Sequence, residues 1–311
     1  SLNNKGVEFS LNAQVIDSSS WKWSVSGNIG VNRNEISDLG LLPADFGCLG
    51  ERVGYYGNSL GDHFGVGHIF LAGEAPGLFY GYVTQGIVQK EDITENGIKY
   101  IKQDGSVGYY QTVNKTTPVA GDVKYVDRNG DGVVDDNDRD IIGNPNPDFT
   151  YGFQTKVSWK SLSLSASFNG VQGRDILNVG NRYNNTPGTK SNNVTRKAFQ
   201  NMWTDENPSN LYPKSTFVVQ NMVMDRYVED GSYLRCSDIT LSYILPAKWT
   251  NKIGIKNTSV YASVKNAFVI TDYSGYDPEV NSFAFDGLRP GVDMNSYPTP
   301  RSFVFGLNLT F

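Results

Sequence analysis

Residues 149–168 read FTYGFQTKVSWKSLSLSASF, and large apolar residues alternate there with polar ones. On the first arm the apolar face consists of Phe149, Tyr151, Phe153, Val157 and Trp159. Lys160 and Ser161 make a minimal turn, and residues 162–168 then alternate Leu, Ala and Phe with three serines. A period of two is typical of β-strands, because successive side chains of a strand point to opposite faces. The stretch therefore predicts a β-hairpin with one apolar and one polar face.

The same alternation recurs along the chain and predicts an all-β fold. About six strong strands are expected, and the segment 260–270 is less regular because Lys265 and Asn266 interrupt it. The predicted strands lie near 7–16, 21–33, 149–159, 162–170, 233–245, 260–270 and 301–311. The first two are about as long as the 9–11 residues that a tilted strand needs to cross a bilayer. The strands are thus compatible with the wall of a membrane barrel.

Short turns and long excursions alternate between these strands. The turns lie at 17–20, 160–161 and 246–257, and the excursions at 35–148, 172–229 and 271–300. Outer-membrane barrels have short periplasmic turns and long extracellular loops, whereas a soluble sandwich spreads its loops over both ends. The predicted fold is therefore an antiparallel transmembrane β-barrel segment whose three long loops are extracellular. Within these loops, residues 78–89 are strand-like, and Asn193–Trp203 predicts one short amphipathic helix.

The bulk properties exclude several classes of protein. The net charge is −5 and the pI is near 5.1, whereas a nucleic-acid-binding protein needs a basic face. No apolar run reaches the roughly 18 residues that indicate a transmembrane helix. Cys48 and Cys236 lie far apart and make no disulfide framework. The sequence has no Walker loop, nucleophile elbow or His-Glu-x-x-His pairing, so it predicts neither an enzyme nor a nucleic-acid partner.

The acidic segment 127–138, DRNGDGVVDDND, has the ligand spacing of a calcium loop. Positions 1, 3, 5, 7, 9 and 12 of such a loop supply oxygens, and a glycine at position 6 makes the sharp turn. These positions hold Asp127, Asn129, Asp131, Val133 (through its carbonyl), Asp135 and Asp138, with Gly132 at the turn. The last ligand is Asp where an EF-hand has Glu, and no helices flank the loop, so a solvated acidic turn is the alternative. We predict one structural Ca²⁺ that holds the long loop in one shape.

Three long stretches resemble the C-terminal part of SusC/RagA-type TonB-linked outer-membrane receptors. They are residues 121–153, 226–243 (RYVEDGSYLRCSDITLSY) and 297–311 (YPTPRSFVFGLNLTF), and residues 78–89 (LFYGYVTQGIVQ) are similar to a further segment of the family. The resemblance covers essentially the whole chain in the family's order. Phe311, which closes an alternating strand, is similar to the terminal signal that such barrels present to the assembly machinery.

The resemblance implies a barrel of 22 strands in the outer membrane of a Gram-negative bacterium, filled by an N-terminal plug and energised by TonB. It also implies a SusD-like lipoprotein that caps the extracellular face and closes over an oligosaccharide. About six of the barrel strands fall within residues 1–311, and the plug and the TonB-contacting segment do not. The chain is therefore expected to be the C-terminal portion of a receptor. Its expected partners are the remaining barrel and plug, the TonB complex and membrane lipid.

Import of oligosaccharides or other glycans is the function that we expect, and import of peptides, as by RagA-type members, is the alternative. A secreted, calcium-dependent β-sandwich binding module is the alternative from another class, since it would use the same alternation and the same acidic loop. Five loop aromatics are candidates for stacking on sugar faces, with ordinary packing favoured over that role: Tyr55, Tyr56, Tyr109, Tyr110 and Trp203.

Overall fold

The computed structural model describes residues 1–40, 47–49, 52–60, 64–186, 193–215, 222–250, 255 and 257–310. A β-strand occupies each of the seven predicted ranges. Phe311, the expected assembly signal, lies outside the described residues. No helix in the described ranges is both long and apolar enough to cross a membrane.

The strands and helices are as follows, in chain order. The strands are β1 (Leu2–Asp17), β2 (Trp21–Ile36), β3 (Gly47–Leu49), β4 (Arg52–Tyr56), β5 (His68–Leu71), β6 (Leu78–Tyr82), β7 (Thr84–Ile87), β8 (Ile93–Thr94), β9 (Gly97–Ile101), β10 (Val107–Tyr110), β11 (Thr112–Val113), β12 (Val123–Tyr125), β13 (Val133–Val134), β14 (Arg139–Gly143), β15 (Phe149–Trp159), β16 (Leu162–Gln172), β17 (Asp175–Asn178), β18 (Val228–Asp230), β19 (Tyr233–Ile244), β20 (Asn257–Thr271), β21 (Val292–Asp293) and β22 (Ser302–Thr310). The α-helices are α1 (Val179–Asn185), α2 (Arg196–Asn201) and α3 (Ala247–Thr250).

Seven long strands make one antiparallel sheet in the order β1-β2-β15-β16-β19-β20-β22. Their order in space follows their order in the chain, which is the arrangement of an up-and-down barrel wall. Residues 260–270, whose alternation is less regular, also form a strand, so the sheet has seven strands where about six were expected. β15 has the predicted bounds, while β1 and β20 extend beyond their predicted ends. β1 and β22 form the two edges of the sheet.

The two faces of the sheet differ in polarity, as the alternation predicts. The register places Val157 opposite both Trp23 and Leu164, so apolar side chains form rows across the strands. Side chains on this apolar face are exposed: Val7 is 75% exposed and Phe305 is 80% exposed. A contiguous exposed apolar surface indicates contact with lipid or with protein.

The opposite face of the sheet carries polar and charged groups that pair with one another. Lys265 Nζ lies 2.7 Å from Asp238 Oδ2, which also accepts a hydrogen bond from the Ser263 hydroxyl (2.6 Å). The Thr240 hydroxyl donates to Asp238 Oδ1 (2.8 Å). The charge of Asp238 is therefore balanced within the sheet, which favours a polar interior rather than a lipid-facing surface.

A β-bulge explains why the pattern of β20 is interrupted. The register with β19 shifts between Cys236 and Asp238, and Asn266 adopts a φ of 51°. Asn tolerates this left-handed conformation better than most residues. Its Nδ2 atom donates to the Pro300 carbonyl (3.1 Å). The break at Asn266 is thus a local bulge within one continuous strand.

The three long excursions fold into one packed body. They share a hydrophobic core to which the first, second and third excursions contribute, for example, Tyr110, Met224 and Val292. β17 joins the second and third excursions, because it pairs with β18 and, in parallel, with β21. The first excursion contains the strands β3–β14. Two of them, β6 and β7, lie in residues 78–89, the segment predicted to be strand-like. Each of β3–β14 has two to five residues, too few to show a period in the sequence.

The helix predicted at Asn193–Trp203 is shorter than expected. α2 begins after Thr195, whose hydroxyl accepts a hydrogen bond from the Ala198 N–H (3.2 Å). Ala198 is buried, whereas the next residue, Phe199, is 63% exposed. α1 lies in an asparagine-rich segment without apolar periodicity, so the sequence does not predict it.

Candidate functional site

The acidic loop 127–138 closes around two buried carboxylates. Asp127 accepts hydrogen bonds from the N–H groups of Gly130 (2.6 Å) and Gly132 (2.9 Å). Asp138 accepts three such bonds, from Arg128 (2.7 Å), Asn129 (3.2 Å) and Asp135 (2.8 Å). Burial raises the pKa of the Asp138 carboxyl, and the three N–H donors oppose that shift because they stabilise the ionised form.

The remaining predicted ligands bond to their own backbone. The Oδ1 atoms of Asn129, Asp131 and Asp135 accept from the N–H groups two residues later, at 2.9, 2.9 and 2.8 Å. Such Asx turns fix the loop without an ion. Val133 lies in β13, which pairs in parallel with β11.

The carboxylates of the acidic loop keep free acceptor positions, but among the described residues they do not converge as a metal-holding group. Among the described residues, no group of three or more His, Cys, Asp or Glu side chains is arranged to hold a metal ion. A carboxylate offers about four lone-pair positions, so neither Asp127, with two hydrogen bonds, nor Asp138, with three, is saturated. Asn129 and Asp131 are exposed at the rim of the loop. The Ca²⁺ ion stays a prediction.

Two tyrosines anchor the acidic loop to the core of the excursions. The Tyr100 hydroxyl donates to the Asp127 carbonyl (2.6 Å), and the Tyr82 hydroxyl donates to Asp136 Oδ1 (3.0 Å). Burial raises the pKa of Tyr100 to about 12, so its phenol remains a hydrogen-bond donor at neutral pH. The position of the loop is therefore fixed by the same core that unites the three excursions.

Most of the aromatic residues considered for sugar stacking pack inside this body. Tyr110 is fully buried and its hydroxyl accepts from the Tyr125 N–H (3.1 Å). Trp203 is buried and its Nε1 donates to Gln89 Oε1 (3.0 Å). The rings of Tyr55 and Tyr56 contact Phe70 and Tyr80, with centroids 6.3 and 5.7 Å apart. Tyr109 alone of the five is exposed.

A polar cavity of about 460 Å³ lies between the second and third excursions. Its walls come from α1, α2, the residues around β18 and the chain near Ser274 and Asn295. Sequence reasoning misses this cavity because its lining residues are spread from position 178 to position 295. The only local signal is the segment 178–185, NVGNRYNN, which carries four asparagines.

Glu229 holds the walls of the cavity together. Its Oε1 accepts hydrogen bonds from Asn178 Nδ2, Asn181 Nδ2 and the Ser274 hydroxyl, each at 2.9 Å. Its Oε2 accepts from the Ser274 N–H (2.9 Å). One carboxylate therefore ties α1, in the second excursion, to the start of the third excursion.

Comparison with known sequences gives relatives of one kind. A scan against protein-family models finds no match. The chain is 31% identical over 320 residues to TonB-dependent receptor P26 of Formosa agariphila, and the match covers 100% of this chain and 29% of that receptor. It is also 31% identical over 320 residues to TonB-dependent receptor SusC of Bacteroides thetaiotaomicron, with 100% of this chain and 26% of SusC covered. The chain thus spans less than a third of the length of these relatives.

Comparison with solved structures gives the same fold. The RagAB peptide transporter matches with a TM-score of 0.68 and 24% identity, over 100% of this chain and 29% of that chain. The RagAB importer in the open-open state matches with a TM-score of 0.66 and 24% identity, over the same shares. At this identity the match shows fold alone, and it identifies the seven-stranded sheet as barrel wall rather than half of a β-sandwich. The resemblance found in the sequence is confirmed: the chain belongs to the TonB-dependent receptors of the SusC/RagA type and corresponds to a C-terminal part of them.

Proposed function

We propose that this chain is part of an outer-membrane, TonB-dependent importer of oligosaccharides. The observation that carries the proposal is the two-faced sheet. Its apolar face is exposed and its polar face pairs its own charges, as Asp238 and Lys265 do. This is the pattern of a barrel wall with lipid outside and a polar interior. All three long excursions leave the sheet at the same end, opposite the short turns.

In this proposal the sheet is completed by other strands of the same receptor. β1 and β22 are edge strands, and an unpaired edge in lipid would leave backbone N–H and C=O groups without partners. The polar face would then line the lumen and contact the plug. The TonB complex would act through a part of the receptor outside this chain.

The body formed by the excursions would lie outside the cell and contact a SusD-like lipoprotein. Its shared core, with Met224 and Val292 buried in it, gives a partner one shape to bind. Peptides are the alternative cargo. RagAB is described as a peptide transporter, but at 24% identity it supports fold and not substrate.

We also propose that the acidic loop binds one structural Ca²⁺. Asp127, Asn129, Asp131, Asp135 and Asp138 would supply side-chain oxygens, and Val133 its carbonyl. The free lone pairs of Asp127 and Asp138 support this proposal. An ion here would stabilise a loop that two tyrosines already anchor, and would take no part in chemistry.

Uptake by cells tests the proposed function. The complete receptor that contains this chain is produced in a Gram-negative host with a matching TonB, and uptake of labelled oligosaccharides and peptides is compared with a TonB-deletion strain. We expect TonB-dependent uptake of oligosaccharides and recovery of the receptor, with a lipoprotein, from the outer membrane. Recovery of the receptor from the soluble fraction, or uptake of peptides alone, would contradict the proposal.

A further inference from the structure

We propose that the polar cavity between the second and third excursions binds one neutral, polyhydroxylated ring of the cargo, that is, one sugar unit. The inference rests on the proposed import function and adds a site and a ligand chemistry to it. The volume of about 460 Å³ is within the range of about 300–1,000 Å³ that is usual for small-molecule sites. The cavity lies in the excursion body, which would face the outside of the cell in the proposed importer.

The walls of the cavity are fixed before any ligand binds. Asn178 is buried and its Oδ1 accepts from the Asn181 N–H (2.9 Å), while its Nδ2 is held by Glu229 (2.9 Å). Asn184 Nδ2 donates to Asn295 Oδ1 (3.3 Å), which joins α1 to the end of the third excursion. A site whose side chains are already ordered loses less conformational entropy on binding.

Hydrogen-bonding capacity is left over after these wall contacts. Among the described residues, Asn181 Oδ1, Asn184 Oδ1 and Asn295 Nδ2 have no hydrogen-bond partner, although all three residues line the cavity. Amide oxygens accept and amide nitrogens donate, and a sugar hydroxyl can do both. A mixed set of free amide donors and acceptors therefore suits a ring that carries several hydroxyl groups.

The charges around the cavity disfavour an ionic ligand. Among the described residues, the charged ones that line the cavity are Lys197, Arg226, Glu229 and Asp293, and their formal charges cancel. Glu229 accepts the four hydrogen bonds described above, which fill its lone-pair positions, and Asp293 accepts from the Tyr273 hydroxyl (2.7 Å) and the Ser296 N–H (2.9 Å). A phosphate or a metal cation would meet no net opposite charge.

Among the described lining residues, two tyrosines supply the large apolar surfaces. Tyr276 and Tyr212 line the cavity, and Tyr276 is 70% exposed. A flat ring next to hydrogen-bonding groups can cover the C–H face of a sugar while the amides contact its hydroxyls. Among the described residues that line the cavity there is no Leu, Ile, Val, Phe or Met, so these residues offer no aliphatic pocket for a peptide side chain.

Binding to the purified complete receptor tests the inference. Calorimetry would use hexasaccharides of glucan, mannan, xylan and galactan, an acidic galacturonan hexasaccharide and a pool of hexapeptides. We expect at least one neutral hexasaccharide to bind, and Tyr276→Ala to weaken that binding roughly three- to tenfold, as loss of one aromatic contact would. Asn295→Gly, which suits the φ of 65° at that position, should also weaken it. Tyr297→Ala is the matched control, since Tyr297 is 89% exposed on the same excursion and does not line the cavity.

Three results would overturn the inference: no neutral hexasaccharide binds, binding is unchanged in both cavity variants, or only the acidic glycan or the peptides respond to Tyr276→Ala. Import and cavity binding can fail separately. TonB-dependent glycan uptake together with unchanged binding in the variants would reject sugar binding in the cavity and support the proposed import function. Binding that depends on Tyr276, without TonB-dependent uptake, would reject the proposed import function and support sugar binding in the cavity.

Discussion

Trp21 and Trp159 stack at the short-turn end of the sheet, with ring centroids 5.9 Å apart and an interplanar angle of 29°. The two residues are direct cross-strand partners between β2 and β15. In the proposed orientation they lie at the periplasmic interface, where aromatic rings concentrate in outer-membrane barrels.

We expect Trp21 and Trp159 to stabilise the barrel cooperatively. A double-mutant cycle with Trp21→Ala and Trp159→Ala should give a coupling free energy of about 0.5–1.5 kcal/mol, the usual value for an aromatic pair. The measurement is reversible urea unfolding of the complete receptor in lipid vesicles. Trp249→Ala is the control, because Trp249 is exposed in α3 on another short turn. Additive effects of the two substitutions would contradict the prediction.

Arg235 and Asp277 connect the sheet to the third excursion through a buried ion pair. Arg235 Nη2 lies 2.5 Å from Asp277 Oδ1, and both side chains are nearly inaccessible. Asp277 also accepts from the N–H groups of Glu279 and Thr299, each at 3.0 Å. The Asp277 carboxylate therefore holds the two ends of the third excursion next to the first residues of β19.

Asp277→Ala should release the third excursion, because Arg235 would be left as a buried charge without its main partner. Breaking such a pair costs about 3–5 kcal/mol. The free energy of opening, measured by native-state proteolysis within residues 272–301, should fall by about that amount. Asp272→Ala, at an exposed position nearby, should leave cleavage unchanged, and equal cleavage of the two variants would refute the prediction.

The sequence predicts those parts of the fold in which one pattern runs over many residues. The hairpin at 149–168 alternates for its whole length, so both strands and their turn follow from it. The interruption of the alternation at Asn266 is also informative, because it coincides with a β-bulge at which Asn266 has a positive φ. The excursions are different, because their strands are short and their core depends on contacts between distant segments.

The candidate sites divide in the same way. The acidic loop is visible in the sequence because its ligands lie within twelve residues, from Asp127 to Asp138. The cavity is not visible, because Glu229 joins Asn181 to Ser274 across long separations in sequence. Tyr110 and Trp203 are candidates for stacking on sugars in the sequence alone, because the sequence of a long loop does not show whether an aromatic residue is buried or exposed.

His68 should make the packing of the first excursion against the third depend on pH. The ring is fully buried and its Nε2 lies 2.9 Å from the Pro290 carbonyl, while its Nδ1 has no hydrogen-bond partner among the described residues. Burial lowers the pKa of His68 from 6.5 to about 4, so the folded protein keeps the imidazole neutral. The contribution of His68 to the free energy of unfolding is fully present above about pH 6.5. It declines as the pH falls towards 4, because the unfolded state binds a proton at a higher pH than the folded state does. The total loss is on the order of 3 kcal/mol.

His68→Gln removes this titration and keeps a side-chain N–H that can donate to Pro290. Hydrogen exchange of residues 64–82, corrected for the intrinsic effect of pH, should show increased opening of the parent receptor between pH 6.5 and 4. The difference between parent and variant isolates His68 from carboxylates that titrate near pH 4. Parallel pH profiles for the two proteins would mean that His68 does not control the packing.

Asp131 allows calcium binding to be separated from the folding of the acidic loop. Asp131→Asn keeps the Oδ1 acceptor that Val133 uses (2.9 Å) and removes one charge from the proposed ligand set. At 100 times its Kd, Ca²⁺ would stabilise the loop by about 2.7 kcal/mol, which chelation should reverse. Asp131→Asn should weaken Ca²⁺ binding about tenfold, equivalent to about 1.4 kcal/mol. Asp104→Asn, at an exposed aspartate outside the loop, is the control. Calorimetry of the complete receptor that detects no Ca²⁺ binding at millimolar concentration would show that hydrogen bonds alone, such as those of Asp127 and Asp138, fix the loop.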